Sequence, residues 1–279
     1  MKHRTTYSIG DMSAICNISR KALRYYDKIG LIAPLRQDCN NYRYYTRDAL
    51  LAIPVIKYYK QMGFTLEEMR AFIEGRLPNA YRTMRRSFQD KLDELERAQD
   101  EIHKKRVSIR AWLDLLQEAE TVIENGIREV AVKYVEAAEL ICLEQTFEND
   151  IKAAVINIDF TNFLEQAGNE ISGPVILSFP SLEARVRNEE QRVRIMQKAL
   201  KPYAEEQACR FGGGMMATCY HIGPHETLPD TYRKILAWTR HHGYTPATGS
   251  FERYVTDYWT TGNDAQFVTE VMIGVSRPG

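Results

Sequence analysis

The sequence predicts an α+β chain in three parts: an N-terminal winged helix-turn-helix, a long coiled-coil helix, and a C-terminal α+β domain with an antiparallel sheet. Three observations predict it. Two short capped helices and an aromatic, basic turn segment open the chain. A heptad repeat of apolar residues then runs through 80–120. From about 127 the pattern changes to short strand-like runs separated by amphipathic segments. The expected boundaries are 1–76, 77–122 and 123–279.

Taking the elements in order, Ser8 precedes a short periodic run, Ile9 to Ile15, with Asp11 three residues on. That is the start of a capped helix. Cys16-Asn17-Ile18 is a tight connection, and Ser19 caps a second helix that ends near Gly30. Two short helices so connected make the helix-turn-helix pattern. At about 100° per residue, Ala22, Leu23 and Tyr26 of the second helix share one sector. Arg20, Lys21, Arg24, Tyr25 and Lys28 share the opposite one. Tyr26 is therefore expected in the core and Tyr25 in a basic outward stripe. Arginines there suit phosphate and guanine contacts. A merely solvated basic face fits this helix equally well. The next segment breaks the tie: in Ala33–Thr46, Asn40-Asn41 is turn chemistry between two extended pieces, and Tyr42-Arg43-Tyr44-Tyr45 follows. This predicts a β-hairpin wing beside the helices. Thr46 then caps a helix through Met62, and Thr65 with Glu68 forms a capping box for another, to about Glu74.

Along 80–120, Phe88, Leu95, Ile102, Ile109 and Leu116 recur every seven residues. Leu92 and Leu113 take the other seam position, which Gln99 and Arg106 interrupt. One partly polar seam of this length predicts a coiled coil with a second chain. Further on, Arg128–Leu143 and Gly173–Phe179 read as strands, and Ile151, Val155, Ile158 and Leu164 as a helical face. The same order returns with a strand after Gly212-Gly213-Gly214, a helix with Leu228, Tyr232, Ile235 and Trp238 inward, and strands at 250–258 and 266–275. Two strand–helix–strand halves sharing one antiparallel sheet are expected. The pattern of 183–207 does not fix its elements, a strand followed by a charged helix being one reading.

Composition limits the function classes. Apolar content is 44% and charged content 27%, ordinary for a globular chain. The opening MKHRTTYSIG has no apolar h-region, so no signal peptide is expected. No apolar run approaches the roughly 18 residues of a spanning helix, so no membrane partner is expected. Five cysteines at 16, 39, 142, 209 and 219 show no CxxC. A disulfide framework and a zinc site are both disfavoured, and a cytoplasmic protein with reduced thiols is expected. The formal net charge is zero, yet residues 1–60 hold eleven Lys/Arg against four Asp/Glu. The N-terminal end thus suits a polyanion.

Tyr7–Ile32, the wing NNYRYYT and IKYYKQMGFTLEEM closely resemble the MerR family of transcription regulators, over about 7–75. HIGPHETLPDTYRKILAWTRHHGY, FERYVTDY and FVTEVMIGV resemble the gyrase-inhibitor-like effector-binding domain, well from about 208 to 275 and less so from 127 to 207. The pair resembles the multidrug-sensing branch of the family. The resemblance implies a homodimer held by an antiparallel coiled coil and bound to a pseudo-palindromic promoter with an overlong spacer. It implies that effector binding distorts and untwists this DNA so that RNA polymerase engages both its elements. Metal-sensing relatives place cysteines beside the start of the dimerisation helix. This chain has Leu77-Pro78-Asn79 there, so metal sensing is disfavoured. Tyr7, Arg20, Lys21, Arg24, Tyr25, Arg43, Tyr44 and Lys60 become the candidate DNA contacts.

For the effector, Glu252 and Glu270 stand on otherwise apolar or aromatic strand faces. Each could pair with an arginine, from Arg253 or the 185–194 segment, or await a cationic ligand. Family members use glutamates at these strand positions under aromatic walls, which favours a lipophilic organic cation. Tyr220, Phe251, Tyr254, Tyr258 and Trp259 are the candidate walls. The rival reading is a hydrolase-like enzyme fused to a DNA-binding module, with the carboxylates as acid and base. Against it, the sequence offers no nucleophile–base spacing or metal motif. His221 and His225 lie in a loop, and Gly212-Gly213-Gly214 lacks the Lys-Ser/Thr of a phosphate loop. No enzyme activity, catalytic residue, metal or cofactor is expected.

Overall fold

The computed structural model describes residues 6–36, 42–73 and 79–277. The chain divides into two compact units, residues 1–101 and 102–279.

The first unit begins with β1 (Thr6–Ser8) and α1 (Ile9–Cys16). Ser8 Oγ accepts the Asp11 N–H at 3.1 Å, and the Asp11 carboxylate accepts the Ser8 N–H at 2.9 Å. This reciprocal box fixes the start of α1. Asn17, left-handed at φ 45°, ends it. Lys57 Nζ donates to the Cys16 carbonyl at 2.5 Å and sets a cation on the negative end of α1. Ser19 caps α2 (Arg20–Lys28) through the Ala22 N–H. Leu23 and Tyr26 are buried with Met12, Tyr45, Ile53, Ile56, Phe64 and Met69, so α2 is inward where its periodicity predicts. β2 (Leu35–Arg36) and β3 (Arg43–Thr46) pair antiparallel as the wing. β1 adds to the far side of β3, a third strand that the sequence reading lacked. The expected turn at Asn40-Asn41, Cys39, Glu74 and Leu77-Pro78 lie outside the described residues. Thr46 caps α3 (Arg47–Gln61), and Thr65 with Glu68 caps α4 (Leu66–Ile73).

A 45-residue helix, α5 (Ala80–Glu124), runs through both units. Phe88 leaves the seam and packs on the rings of Tyr59, Phe64 and Phe72. Leu92, Leu95, Ile102, Ile109, Leu113 and Leu116 are exposed, an apolar stripe left uncovered among the described residues. Leu115, Ala119 and Val122, within the second unit, are buried against Val255 and Val268.

The second unit is an eight-stranded antiparallel sheet with helices. Its elements are β4 (Ala131–Val135), β5 (Ala138–Phe147), α6 (Ile151–Val155), α7 (Ile158–Gln166), β6 (Ile171–Phe179), α8 (Leu182–Arg187), β7 (Gln191–Ala199), β8 (Ala208–Phe211), β9 (Gly214–Ile222), α9 (Leu228–His241), β10 (Thr245–Thr256) and β11 (Val268–Ser276). The strand order is β4-β9-β11-β10-β6-β7-β5-β8. Within each half the first strand (β9 or β5) pairs with the third (β11 or β7), and the third with the second (β10 or β6). The halves join second strand to second strand, so the expected repeat is present and mirrored about β10–β6.

That central seam is short. β10 and β6 pair only from Ser250↔Phe179 to Arg253↔Ile176. Below Ile176, β6 bulges against β7 at Gly173-Pro174. Gly173 sits at φ 80°, a left-handed position open to glycine, and Pro174 has no N–H to pair. Gln197 Nε2 donates to the freed Gly173 carbonyl at 3.0 Å. The two central strands therefore splay, and the wedge between them is not filled.

Two expectations are corrected. In 183–207 the order is helix then strand, α8 then β7, not strand then helix. Ser181 caps α8 and Asn188, at φ 54°, ends it after six residues, too short for a periodic signal. In β7, Val193 and Ile195 point into the core, while Arg192 and Arg194 both bond Glu144 on β5. Their alternation had been hidden by the charge density. Second, Cys142 and Cys209 form a disulfide between β5 and β8, Cα atoms 5.8 Å apart. The 67-residue separation concealed that these strands are neighbours.

Candidate functional site

On α2, Arg20, Lys21, Arg24 and Tyr25 are all exposed, with Tyr25 at 51%. Lys60 on α3 is exposed, and Tyr7 on β1 and Tyr44 on β3 are half-buried. Arg43 does more than face outward. Its Nε donates to Asp27 of α2 at 2.8 Å, tying the wing to the end of the helix beside it. The outward stripe is thus held in fixed geometry by a buried apolar side and a charged brace.

The seven candidate ligand residues separate onto two faces of the large sheet. Successive strand residues point oppositely. Glu252 and Tyr254 face the helices α6–α9, whereas Phe251 and Arg253 face α5. Glu270 lies opposite Arg253 and Tyr220 in the ladder and belongs to the α5 side.

Both glutamates are engaged. Glu252 is 0% exposed. It accepts Arg185 Nε at 2.7 Å, Tyr232 Oη at 2.7 Å and Tyr254 Oη at 2.5 Å. Burial opposes its ionisation, but Arg185 and the hydroxyls outweigh it and hold the carboxyl below its usual range. The Arg185 guanidinium lies over the Phe179 ring, 4.9 Å from its centroid. Glu270, 1% exposed, accepts Arg253 Nε at 2.9 Å and lies 2.5 Å from Lys133 Nζ. Arg253 also bonds Glu118 of α5, which accepts Tyr220 Oη at 2.7 Å. Burial resists the Glu118 charge, yet Arg253 and Tyr220 keep its pKa lowered. Of the two readings open for these acids, the structure has arginines beside both.

Tyr254 and Trp259 both line the wedge between the splayed strands. There a cavity of about 410 Å³ is walled by Trp112 and Leu115 of α5, Phe160 and Leu164 of α7, Val175 of β6, Tyr254, Trp259 and Asp257. That volume lies in the range of small-molecule sites. Its lining contains Glu165, Glu170 and Asp257 but no Lys, Arg or His. Asp257, just past the end of β10, is 4% exposed. Its Oδ1 accepts the Trp259 N–H at 2.8 Å, an Asx turn. Burial pushes its pKa up to about 6. Sequence reading did not single out Asp257, Trp112 or Phe160. The only signal for Asp257 was an acid among aromatics in YVTDYW. Tyr258 points elsewhere, stacking edge-on with Phe267 and His225.

A larger open cleft of about 900 Å³ beside α5 is lined by His103, Arg106, Arg110 and Lys198 against one acid, Asp114, a surface less suited to a cation. Among the described residues no group of three or more His, Cys, Asp or Glu could hold a metal ion. His221 is bonded by Thr231 and the Pro224 carbonyl. His225 is enclosed by aromatic rings, where burial lowers its pKa to about 4. Among the described residues no helix is long and apolar enough to cross a membrane.

Residues 128–276 match the GyrI-like small molecule binding domain, and residues 7–75 match the MerR HTH family regulatory protein model. The multidrug-efflux transporter 1 regulator of Bacillus subtilis is 38% identical over 128 residues, 44% of this chain and 46% of that protein. The chain thus matches about half the length of that relative. The multidrug-efflux transporter 2 regulator of the same organism is 21% identical over 90% of this chain and 89% of its own. Among solved structures, the EcmrR–DNA complex in an EcmrR open complex aligns over 98% of this chain and 100% of its own, with 20% identity and a TM-score of 0.47.

Proposed function

The chain belongs to the GyrI-like small molecule binding family and carries a MerR HTH domain at its N-terminal end, and from that premise we propose a ligand-responsive transcriptional activator. It works in the cytoplasm as a homodimer and binds promoter DNA. Arg20, Lys21, Arg24 and Tyr25 enter the groove, while Tyr7, Arg43, Tyr44 and Lys60 hold phosphate. The uncovered stripe from Leu92 to Leu116 supports pairing of α5 with a second chain.

The observation that carries the ligand reading is the aromatic cavity whose lining is acidic and without a base. It favours lipophilic organic cations, which gain from aromatic faces and from a carboxylate in a low-dielectric site. The cavity wall includes Ser108, Trp112 and Leu115 of α5, the helix that also enters the DNA-binding unit. Occupancy would shift that helix, distort the bound DNA and let RNA polymerase engage it. Enzymatic turnover is not part of this reading.

The test is to select duplexes with purified full-length protein, then measure run-off transcription from a selected site with and without tetraphenylphosphonium. The reading expects a pseudo-palindromic site, and transcription that rises with the cation while DNA affinity changes little. Absence of any sequence-selective duplex, or a ligand that only releases the protein from DNA, would overturn it.

A further inference from the structure

We infer that Asp257 is the charge-recognising residue of the cavity, so that the ligand is an organic monocation whose positive centre sits against this carboxylate and whose apolar groups lie against Trp112, Phe160 and Trp259. The inference rests on the reading of this cavity as the ligand site, and it adds which acid reads the charge.

Each of the other buried acids of the unit already has a cation. Glu252 is closed by Arg185 and two tyrosine hydroxyls, and is not in the cavity lining. Glu270 is on the opposite face, between Arg253 and Lys133. Of the three acids that line the cavity, Glu170 lies 3.5 Å from Lys104 and 3.4 Å from Lys201. Glu165 is exposed and solvated. Asp257 alone of the three is buried without a cation beside it among the described residues. Asp257 accepts one backbone hydrogen bond, and its remaining acceptor capacity is open to the cavity.

The backbone around Asp257 holds it in place. Its N–H donates to Thr260 Oγ1 at 2.9 Å, and Thr260 Oγ1 donates back to its carbonyl at 2.7 Å. Trp259 donates its backbone N–H to the Asp257 carboxylate, so one turn sets the backbone of Trp259 beside the charge. A carboxylate that is rigid, desolvated and walled by aromatics is a poor site for an anion. Among the described residues no group of three or more His, Cys, Asp or Glu could hold a metal ion, so it is also a poor site for a hard metal ion. It suits a large cation of diffuse charge, whose desolvation is cheap and whose apolar surface fills the wedge.

The experiment compares two probes of similar shape and different charge, tetraphenylphosphonium and neutral triphenylphosphine oxide. Each is titrated by calorimetry into full-length wild type and Asp257→Asn, with DNA binding as the check that the variant is folded. The expected result is that Asp257→Asn weakens the phosphonium by about tenfold or more, as loss of a desolvated charge partner should, and changes the neutral probe by less than about threefold. An Asp257→Asn protein that keeps the wild-type preference for the cation would overturn the inference while leaving the cavity reading intact. Failure of the wild type to bind either probe would overturn both.

Discussion

Replacing Asp257 with asparagine should stabilise the ligand-free protein at neutral pH. In the folded chain burial raises the Asp257 pKa to about 6, against an unfolded value near 3.9. Below the unfolded pKa the group is protonated in both states and contributes nothing. Between the two values the folded state holds more protons, so stability falls as pH rises and levels off above the folded pKa. At about 1.4 kcal/mol per unit, the two-unit shift corresponds to a cost of about 3 kcal/mol at neutral pH. Asparagine keeps the acceptor for the Trp259 N–H but leaves its own NH₂ in the cavity, which returns about 1 kcal/mol of that gain. The net expectation is about 2 kcal/mol. Urea denaturation of wild type and Asp257→Asn at pH 7.5 and pH 4 would read it, because subtracting the two proteins cancels every other titration. The difference should favour the variant at pH 7.5 and reverse or vanish at pH 4. A variant less stable than wild type at pH 7.5, or an equal difference at both pH values, would refute the reasoning. An acid that costs stability is the pattern expected where a site needs it for function.

Glu252→Gln should destabilise the second unit by about 3 kcal/mol or more, since it leaves Arg185 buried without its counter-charge; thermal melting of the full chain would show it. Gly173→Ala should cost about 1 kcal/mol and weaken phosphonium binding, because φ 80° disfavours a side chain and the bulge shapes the cavity; denaturation and calorimetry would read the two effects. Arg24→Ala should weaken binding to a selected duplex uniformly or at one base, and reduce the salt slope by about one if its contact is phosphate; an unchanged affinity and slope would remove α2 from the interface.

The N-terminal unit was largely legible because its signals are local. Ser8, Ser19 and Thr46 cap helices within three residues, and the facing of Leu23 and Tyr26 follows from the helical period alone. What escaped there, the Arg43–Asp27 brace and the third strand β1, depends on contacts between elements. In the second unit the strand–helix–strand repeat was readable from alternation, but its chemistry only in part. Glu252 stood out as an acid on an apolar face, and its partner was traced to the 185–194 segment or Arg253; which arginine closes it was not legible, because Arg185 is 67 residues away on a helix too short to predict. The grouping of Phe251 with Glu252 and Tyr254 ignored that neighbours along a strand face apart. Asp257 matters through the partners it lacks, and a sequence does not display the absence of a partner. The Cys142–Cys209 bond was hidden in the same way, by strand order.

The central claim is that a lipophilic cation enters the wedge beside Asp257. Two of the three tryptophans, Trp112 and Trp259, wall that wedge, and Trp238 stacks on His242 and Tyr244 away from it. The most direct measurement is a tetraphenylphosphonium titration of full-length protein followed by tryptophan fluorescence in wild type, Trp238→Phe and Trp112→Phe/Trp259→Phe. The account predicts saturable quenching that survives in Trp238→Phe and is lost in the double variant. Quenching that requires Trp238, or no saturable change in wild type, would contradict it.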